Sequence, residues 1–418
     1  MNRVDVWIDD ETLGGSTLVG HLTKAASRTG DTISFEYDSQ WLGNDGPIPA
    51  FPLDPELQLA AGAHYARGGA SALTGAFVDC SPDRWGKRLM DRREAIEARE
   101  ESRRPRTLRA WDYLVGVNDE SRMGATRLVD PESSRYVDDR ALSAPPITEL
   151  RQLEAIAAHV ERGDLEESPQ TVRWIKQLVA PGASLGGARP KASFRDQAGQ
   201  LWLAKFPSND DRYDVGLWEY LAYQLALAAG IDMPEARLMP LSGRGHTYAV
   251  KRFDRTQGSR RVFSSAMTRL DVADSEASSY LDLVQVIETA GTSKRIARDL
   301  EQLFRRVLFN ILVGNRDDHL RNHGFMRVGD GWTLSPAFDV NPNPDREHHV
   351  LAIDDRDSSP DSAVLFTTAD YYRLTKKALG SIADEVRAAV GGWEPRARHL
   401  GAGSAEMALM QSVIDAGR

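Results

Sequence analysis

Asn315-Arg316-Asp317-Asp318-His319-Leu320-Arg321-Asn322 directly follows an apolar helical run, Leu303 to Val313, in a chain of 418 residues. Asp317 and Asn322 stand five positions apart. A short loop leaving a rigid helix can aim a carboxylate and an amide at one point. Phosphoryl transfer needs such a pair: a carboxylate to orient an attacking hydroxyl and accept its proton, and an amide oxygen for Mg²⁺.

Working outward, Leu334-Ser335-Pro336-Ala337-Phe338-Asp339-Val340 follows a turn at Gly329 to Gly331. Asp317 and Asp339 are 22 positions apart, which predicts a strand pair bringing them back together, with Asp339 on the metal that bridges ATP phosphates. Val340 follows that Asp, so the Asp-Phe-Gly triplet of protein kinases is absent. Upstream, Leu203-Ala204-Lys205-Phe206-Pro207 sets a lysine on an apolar strand. A buried ammonium needs a partner, and the ATP phosphates or Glu219 on the next helix would serve. Gly182-Ala183-Ser184-Leu185-Gly186-Gly187-Ala188-Arg189-Pro190-Lys191 would let backbone N–H groups approach phosphate closely. It is neither Walker A nor Gly-x-Gly-x-x-Gly.

Taken singly, each piece has a plainer reading. An Asp-x-x-x-x-Asn can be a capped turn, and Gly186-Gly187 a flexible loop. Lys205 can be an edge lysine snorkelling to solvent, Glu219 a solvated helix residue, His319 a structural hydrogen-bonder, and Asp318 a helix cap or a supporting group behind the site. The adjacent His348 and His349 point apart and read as surface. The order and spacing of glycine loop, strand lysine, helix glutamate, Asp–Asn loop and late Asp favour chemistry.

Composition agrees. The apolar share of 41% and charged share of 27% are those of a globular protein of two or three packed units. A net charge of −9 argues against a chain that coats nucleic acid by itself. The single cysteine, Cys80, excludes a disulfide framework and a Cys-based zinc cluster, and its flanks predict a buried or half-buried residue. Met1 to Asp5 lacks a signal-peptide core, and no run reaches the roughly 18 apolar residues of a membrane span. The expectation is a cytoplasmic protein.

Val4 to Ile8, Gly14 to Leu22 and Thr32 to Tyr37 alternate as short antiparallel strands. Asp83 to Glu100 reads as a helix with Trp85, Leu89, Met90 and Ile96 on one face, and Arg103 to Arg106 as a solvated basic loop. Asp138 to Thr148 reads as a linker. Beyond it come a helix at Leu150 to Arg162 and strands at Ala192 to Phe194, Leu201 to Phe206 and Thr247 to Phe253. Helices are expected at Val215 to Ala229, Tyr280 to Ala290, Lys294 to Val313, Tyr371 to Ala389 and Ser404 to Ala416. The fold class is α+β, a β-rich lobe followed by a helical one. The expected domains are 1–140, an N-terminal subdomain; 141–255, a small lobe; and 256–418, a helical large lobe.

These motifs resemble the HipA family of serine/threonine kinase toxins. The resemblance lies in Gly182 to Ala192, Ala204 to Pro207, Lys251-Arg252-Phe253-Asp254-Arg255, Asn315 to Gly324 and Pro336 to Asp339. The N-terminal stretches Tyr37 to Leu42 and Asp83 to Leu89 extend it over nearly the whole chain. It implies a bilobal protein-kinase-like or phosphoinositide-kinase-like fold with an extra N-terminal subdomain. It makes Asp317 the catalytic base, Asn322 and Asp339 the magnesium ligands, and Lys205 an ATP-phosphate contact. Ser184, Gly186, Gly187, Glu219 and His319 join the nucleotide side, and Lys251 to Phe253 meet adenine mainly through backbone. Ser184 matches a serine that the family autophosphorylates. Arg316 stands where the family leads one to expect a small residue, which bears on loop geometry. The resemblance further implies a HipB-like helix-turn-helix antitoxin that carries the DNA contacts, and a translation-related protein substrate such as an aminoacyl-tRNA synthetase. Two other readings are a small-molecule or lipid kinase, and a non-catalytic corepressor pseudokinase.

Overall fold

The structure is a computed structural model that describes all residues except 28–29, 70–71, 140–143, 164–171, 173–174, 176–186, 257–258, 416 and 418. The chain forms two compact units: Met1–Asn209 with Asp254–Ser264, and Asp210–Phe253 with Ser265–Arg418. Helix and antiparallel sheet are mixed throughout, an α+β fold.

The first unit carries a five-stranded antiparallel sheet in the order Ala63–His64, Gly30–Tyr37, Gly15–Ser27, Arg3–Asp10, Thr126–Val129. Alternation builds it. Val4, Val6 and Ile8 are buried while the residues between them are half-buried, because successive strand side chains point to opposite faces. The Arg84–Glu100 helix begins at Asp83, whose carboxylate accepts from the Gly86 N–H at 2.8 Å. It buries Trp85, Leu89, Met90 and Ile96; truncating a buried Trp to Ala costs about 3–5 kcal/mol. Trp85 Nε1 donates to the Lys191 carbonyl at 3.0 Å, and Lys191 Nζ to Asp83 at 2.7 Å. The helix is thereby fastened to the hairpin of Lys191–Arg195 and Leu201–Lys205. The basic run is not a merely solvated loop, because Arg103 and Arg106 both bind Glu94, which is buried. The hydrogen bond from Arg103 is the largest cause holding the Glu94 carboxyl down to about 2. Cys80 is buried, as its flanks predict.

The second unit is organised by the Ile296–Val313 helix, whose residues are nearly all buried. Tyr280–Ala290 and Lys376–Gly391 pack against it. The helix stops at Gly314, in left-handed conformation at φ 74°; a Cβ there would lie 2.9 Å from the Val413 carbonyl oxygen, so position 314 excludes a side chain twice over. The Val215–Ala228 helix packs on the hairpin of Ala236–Ser242 and Gly245–Lys251. No described helix is long and apolar enough to cross a membrane.

Two helical expectations shift, and one helix is unexpected. The helix expected from Tyr371 starts at Lys376, because Ala369–Tyr372 is a 3₁₀ turn, Arg373 is left-handed at φ 55°, and Thr375 caps the true start through the Ala378 N–H at 3.2 Å. Ser404–Gln411 ends before the expected Ala416. Trp393–Leu400 is a further helix, begun after Gly392.

Candidate active site

Within the second unit, the Ile296–Val313 helix positions both halves of the site. Its C-terminal end releases the irregular loop 315–319, which carries Asp317, and a short 3₁₀ turn at Leu320–Asn322 brings in Asn322. The body of the helix holds what comes next. Asp299 accepts from Thr333 Oγ1 at 2.7 Å and from the Leu334 N–H at 2.9 Å, and the buried Arg306 donates to the Ser335 carbonyl at 2.6 Å. These bonds anchor the hairpin of Gly324–Val328 and Gly331–Leu334, the strand pair that the 22-residue spacing predicts, and with it the segment leading to Asp339. Burial pushes the Arg306 guanidinium down to about 10.

The two loops are laced together. The Asn341 N–H donates to Asn315 Oδ1 at 3.3 Å, the Asn343 N–H to the Gly314 carbonyl at 2.8 Å, and the Val350 N–H to the Arg316 carbonyl at 3.2 Å. Arg316, the departure from the expected small residue, is buried and donates to the Arg346 carbonyl at 2.6 Å, so its bulk is used to hold the 340s loop.

Asp317 is half-exposed, with Arg346 Nη2 3.0 Å from its Oδ1. Asn322 is 7% exposed; its Nδ2 donates to the Asp317 carbonyl at 3.4 Å, while its buried Oδ1 has no partner among the described residues. Leaving a buried amide oxygen unpaired costs about 1–3 kcal/mol, so it is suited to an incoming ligand. Asp339 is half-buried and left-handed at φ 57°, a conformation uncommon for a non-glycine residue and concentrated at functional positions. Its neighbour Phe338 stacks on Phe253, ring centroids 5.4 Å apart. Lys251 and Phe253 are half-buried at the end of the Gly245–Lys251 strand. Glu219 is buried on its helix, and its charge, after burial itself, pushes the Tyr248 phenol well up. His319 is half-buried, and its Nδ1 has no partner among the described residues.

Asp318, expected as a helix cap or a supporting group, is a buried hub. Its Oδ2 accepts from Tyr280 Oη at 2.6 Å, Asn310 Nδ2 at 2.8 Å and His323 Nε2 at 2.8 Å. Burial pushes this carboxyl up, but His323 and then Tyr280 outweigh it and hold the group below its ordinary value. The sequence gives no hint of Tyr280 or Asn310 here, since each is far along the chain. His349 corrects the surface reading: His348 is exposed, whereas His349 is 4% exposed and burial pushes it down to about 4.

In the first unit, Lys205 is 7% exposed on its strand, directly opposite the buried Lys191. Residues opposite each other in an antiparallel pair share a face, so both ammonium groups lie on one side of the hairpin. Gly187 is left-handed at φ 94°, and a Cβ there would sit 3.6 Å from Lys191 Nζ. Ser184 and Gly186 lie outside the described residues.

Among the described residues, no cluster of three or more His, Cys, Asp or Glu side chains could hold a metal alone. Asn322 and Asp339 fit a different arrangement, in which Mg²⁺ takes one or two protein oxygens and completes its shell with phosphate and water.

Residues 183–393 match the family model of the HipA-like C-terminal domain. Over 161 residues the chain is 30% identical to a Sinorhizobium fredii protein named "Putative kinase Y4dM", covering 34% of this chain and 37% of that one. Over 207 residues it is 24% identical to a "Putative kinase" of Haemophilus influenzae, covering 44% and 60%. The chain therefore matches less than two thirds of the length of either relative. HipA of Shewanella oneidensis, solved with HipB and operator DNA, aligns over 98% of this chain and 94% of that one, at a TM-score of 0.63 and 17% identity. At that identity the likeness is one of fold. The matched domain spans half of the chain and takes in Asp317, Asn322 and Asp339, and the protein belongs to the HipA family.

Proposed function

We propose that the protein is an ATP- and Mg²⁺-dependent kinase that phosphorylates serine or threonine in a protein substrate and acts as a growth-inhibiting toxin. The observation that carries the reading is the buried amide oxygen of Asn322, unpartnered among the described residues, five residues from the accessible carboxylate of Asp317. One group is prepared for a cation and the other for a substrate hydroxyl. When bound, Mg²⁺ would neutralise charge on the transferring phosphate. Asp317 orients the attacking hydroxyl and takes its proton at a carboxylate oxygen. Asn322 and Asp339 hold the cation, Lys205 and the glycine loop with Gly186 and Gly187 take the phosphates, and Lys251 to Phe253 receive the adenine. Glu219 and His319 are assigned to the same nucleotide side. In this reading residues 141–255 are the small lobe and 256–418 the large one.

The Shewanella protein's assembly with HipB and DNA supports a helix-turn-helix antitoxin as partner. The net charge of −9 favours DNA contact through that partner rather than through this chain alone. A translation enzyme such as an aminoacyl-tRNA synthetase is the proposed substrate class. The test is to incubate the protein with labelled ATP, Mg²⁺ and a cell extract. Label on protein bands is expected. Label confined to small molecules favours the small-molecule kinase, and none at all the corepressor.

A further inference from the structure

A buried cluster of hydrogen-bonded side chains lies beneath the 315–323 loop of the second unit. We infer that Asp318 is the positioning residue of that loop, aligning Asp317 and Asn322 through a hydrogen-bond network without touching substrate. This rests on the kinase reading.

The geometry is specific. One oxygen, Asp318 Oδ2, accepts from three donors on three elements: Tyr280 on the Tyr280–Ala290 helix, Asn310 on the Ile296–Val313 helix, and His323 just past the 3₁₀ turn. The Tyr280 hydroxyl also lies 3.3 Å from Asn310 Nδ2, and its ring meets the His323 ring edge-on at 5.8 Å. Asp318 is 3% exposed and His323 3%, so both lie beneath the loop rather than on its surface. What they hold is the loop itself. Asp318 is the next residue after Asp317, and His323 the next after Asn322, so one hydrogen bond fixes the spacing between base and cation ligand. Asn310 carries the same constraint further. Its Oδ1 accepts from Asn315 Nδ2 at 3.1 Å, and Asn315 Oδ1 accepts from the Asn341 N–H at 3.3 Å, two residues past Asp339. A single chain of bonds thus runs from Asp318 to the backbone of both loops.

A carboxylate suits this place better than an amide. All three partners present N–H or O–H, and an ionised Asp accepts only. An Asn at 318 would turn an NH₂ or a weaker acceptor toward three donors. Misplacing reacting groups by about 1 Å can cost about 100-fold, and loss of outer supporting bonds at cation sites typically costs about 10–100-fold.

The test compares full-length Asp318→Asn and Tyr280→Phe with the wild type and with Asp317→Asn. The readouts are kcat, the Kd of Mg-ATP by calorimetry, and Tm. Asp318→Asn should lose about 10–100-fold in kcat, with a weaker Kd for Mg-ATP as Asn322 loses its alignment, and Tyr280→Phe should lose a smaller factor in each. The swap Asn310→Asp with Asp318→Asn, which returns one carboxylate to the cluster, should recover part of the loss. Wild-type kcat in both Asp318→Asn and Tyr280→Phe, beside an inactive Asp317→Asn, would overturn the positioning role and leave the kinase reading standing. A kcat loss matched by equal loss of folded protein would also overturn it, because the network would then be purely structural. Full activity in Asp317→Asn would take down both.

Discussion

Arg346 places a guanidinium nitrogen 3.0 Å from Oδ1 of Asp317, while its own carbonyl accepts from Arg316. Asp317 and the residue before it therefore grip the same residue of the facing loop, one at its side chain and one at its backbone. Both Arg346 and Asp317 are half-exposed, and ion pairs in water contribute only about 0–1 kcal/mol. Arg346→Ala should leave Tm nearly unchanged and kcat within about fivefold of wild type. A hundredfold loss in a steady-state assay would show instead that Arg346 acts on the reacting groups.

The backbone at Asp339 allows ligation to be separated from strain. At φ 57°, Ala adds a left-handed penalty of about 1 kcal/mol, whereas Gly adopts that conformation freely. Asp339→Gly should therefore fold as well as wild type yet bind Mg-ATP more weakly, and Asn322→Ala should do the same by removing the other oxygen. Calorimetry on both variants decides it: unchanged Mg-ATP affinity in each places the cation elsewhere.

His349 predicts a pH dependence. Its folded pKa is about 4, pushed down chiefly by burial, against ~6.5 in an unfolded chain. Between those values the unfolded chain binds a proton that the folded one does not, so this contribution is complete above ~6.5 and is lost as pH falls toward 4. The shift corresponds to ~3 kcal/mol. Tm measured from pH 7 to pH 4.5 should fall more steeply in the wild type than in His349→Gln. Parallel curves would contradict it.

Ser184, outside the described residues, carries a regulatory prediction. A phosphate there would add about −1.5 to −2 charges and compete with ATP for the loop's N–H donors. After preincubation with Mg-ATP, mass spectrometry should find one phosphate on Ser184 in the wild type, with falling activity, and none in Asp317→Asn. An unmodified Ser184 in an active enzyme makes the serine structural.

Local pattern accounts for what the sequence makes legible. Val4, Val6 and Ile8 alternate, so a strand is readable; Leu303 to Val313 repeats at helical spacing and ends at a glycine, so the helix and its exit loop are readable. The 22-residue return from Asp317 to Asp339 is readable because a hairpin fits that length. Where cap geometry competes with apolar spacing, as at Tyr371 to Thr375, the pattern misleads. The Ala236–Ser242 strand passes unnoticed because it is mostly half-buried and contains Pro240. Asp318, Tyr280, Asn310 and His323 meet only through tertiary packing, which leaves no periodic trace. His349 misleads for the same reason: its burial comes from the loop ties around Arg316 and Ser358.

In the proposed function, Asp317 is the base of a phosphoryl transfer from Mg-ATP to protein. Its most direct test is transfer of labelled phosphate from ATP to protein by wild type and Asp317→Asn, with Mg-ATP binding measured on the same preparations. Removing a general base costs about 10²–10⁴-fold. Asp317→Asn should show at least that loss, with Mg-ATP affinity and Tm close to wild type. Undiminished transfer by Asp317→Asn would contradict it.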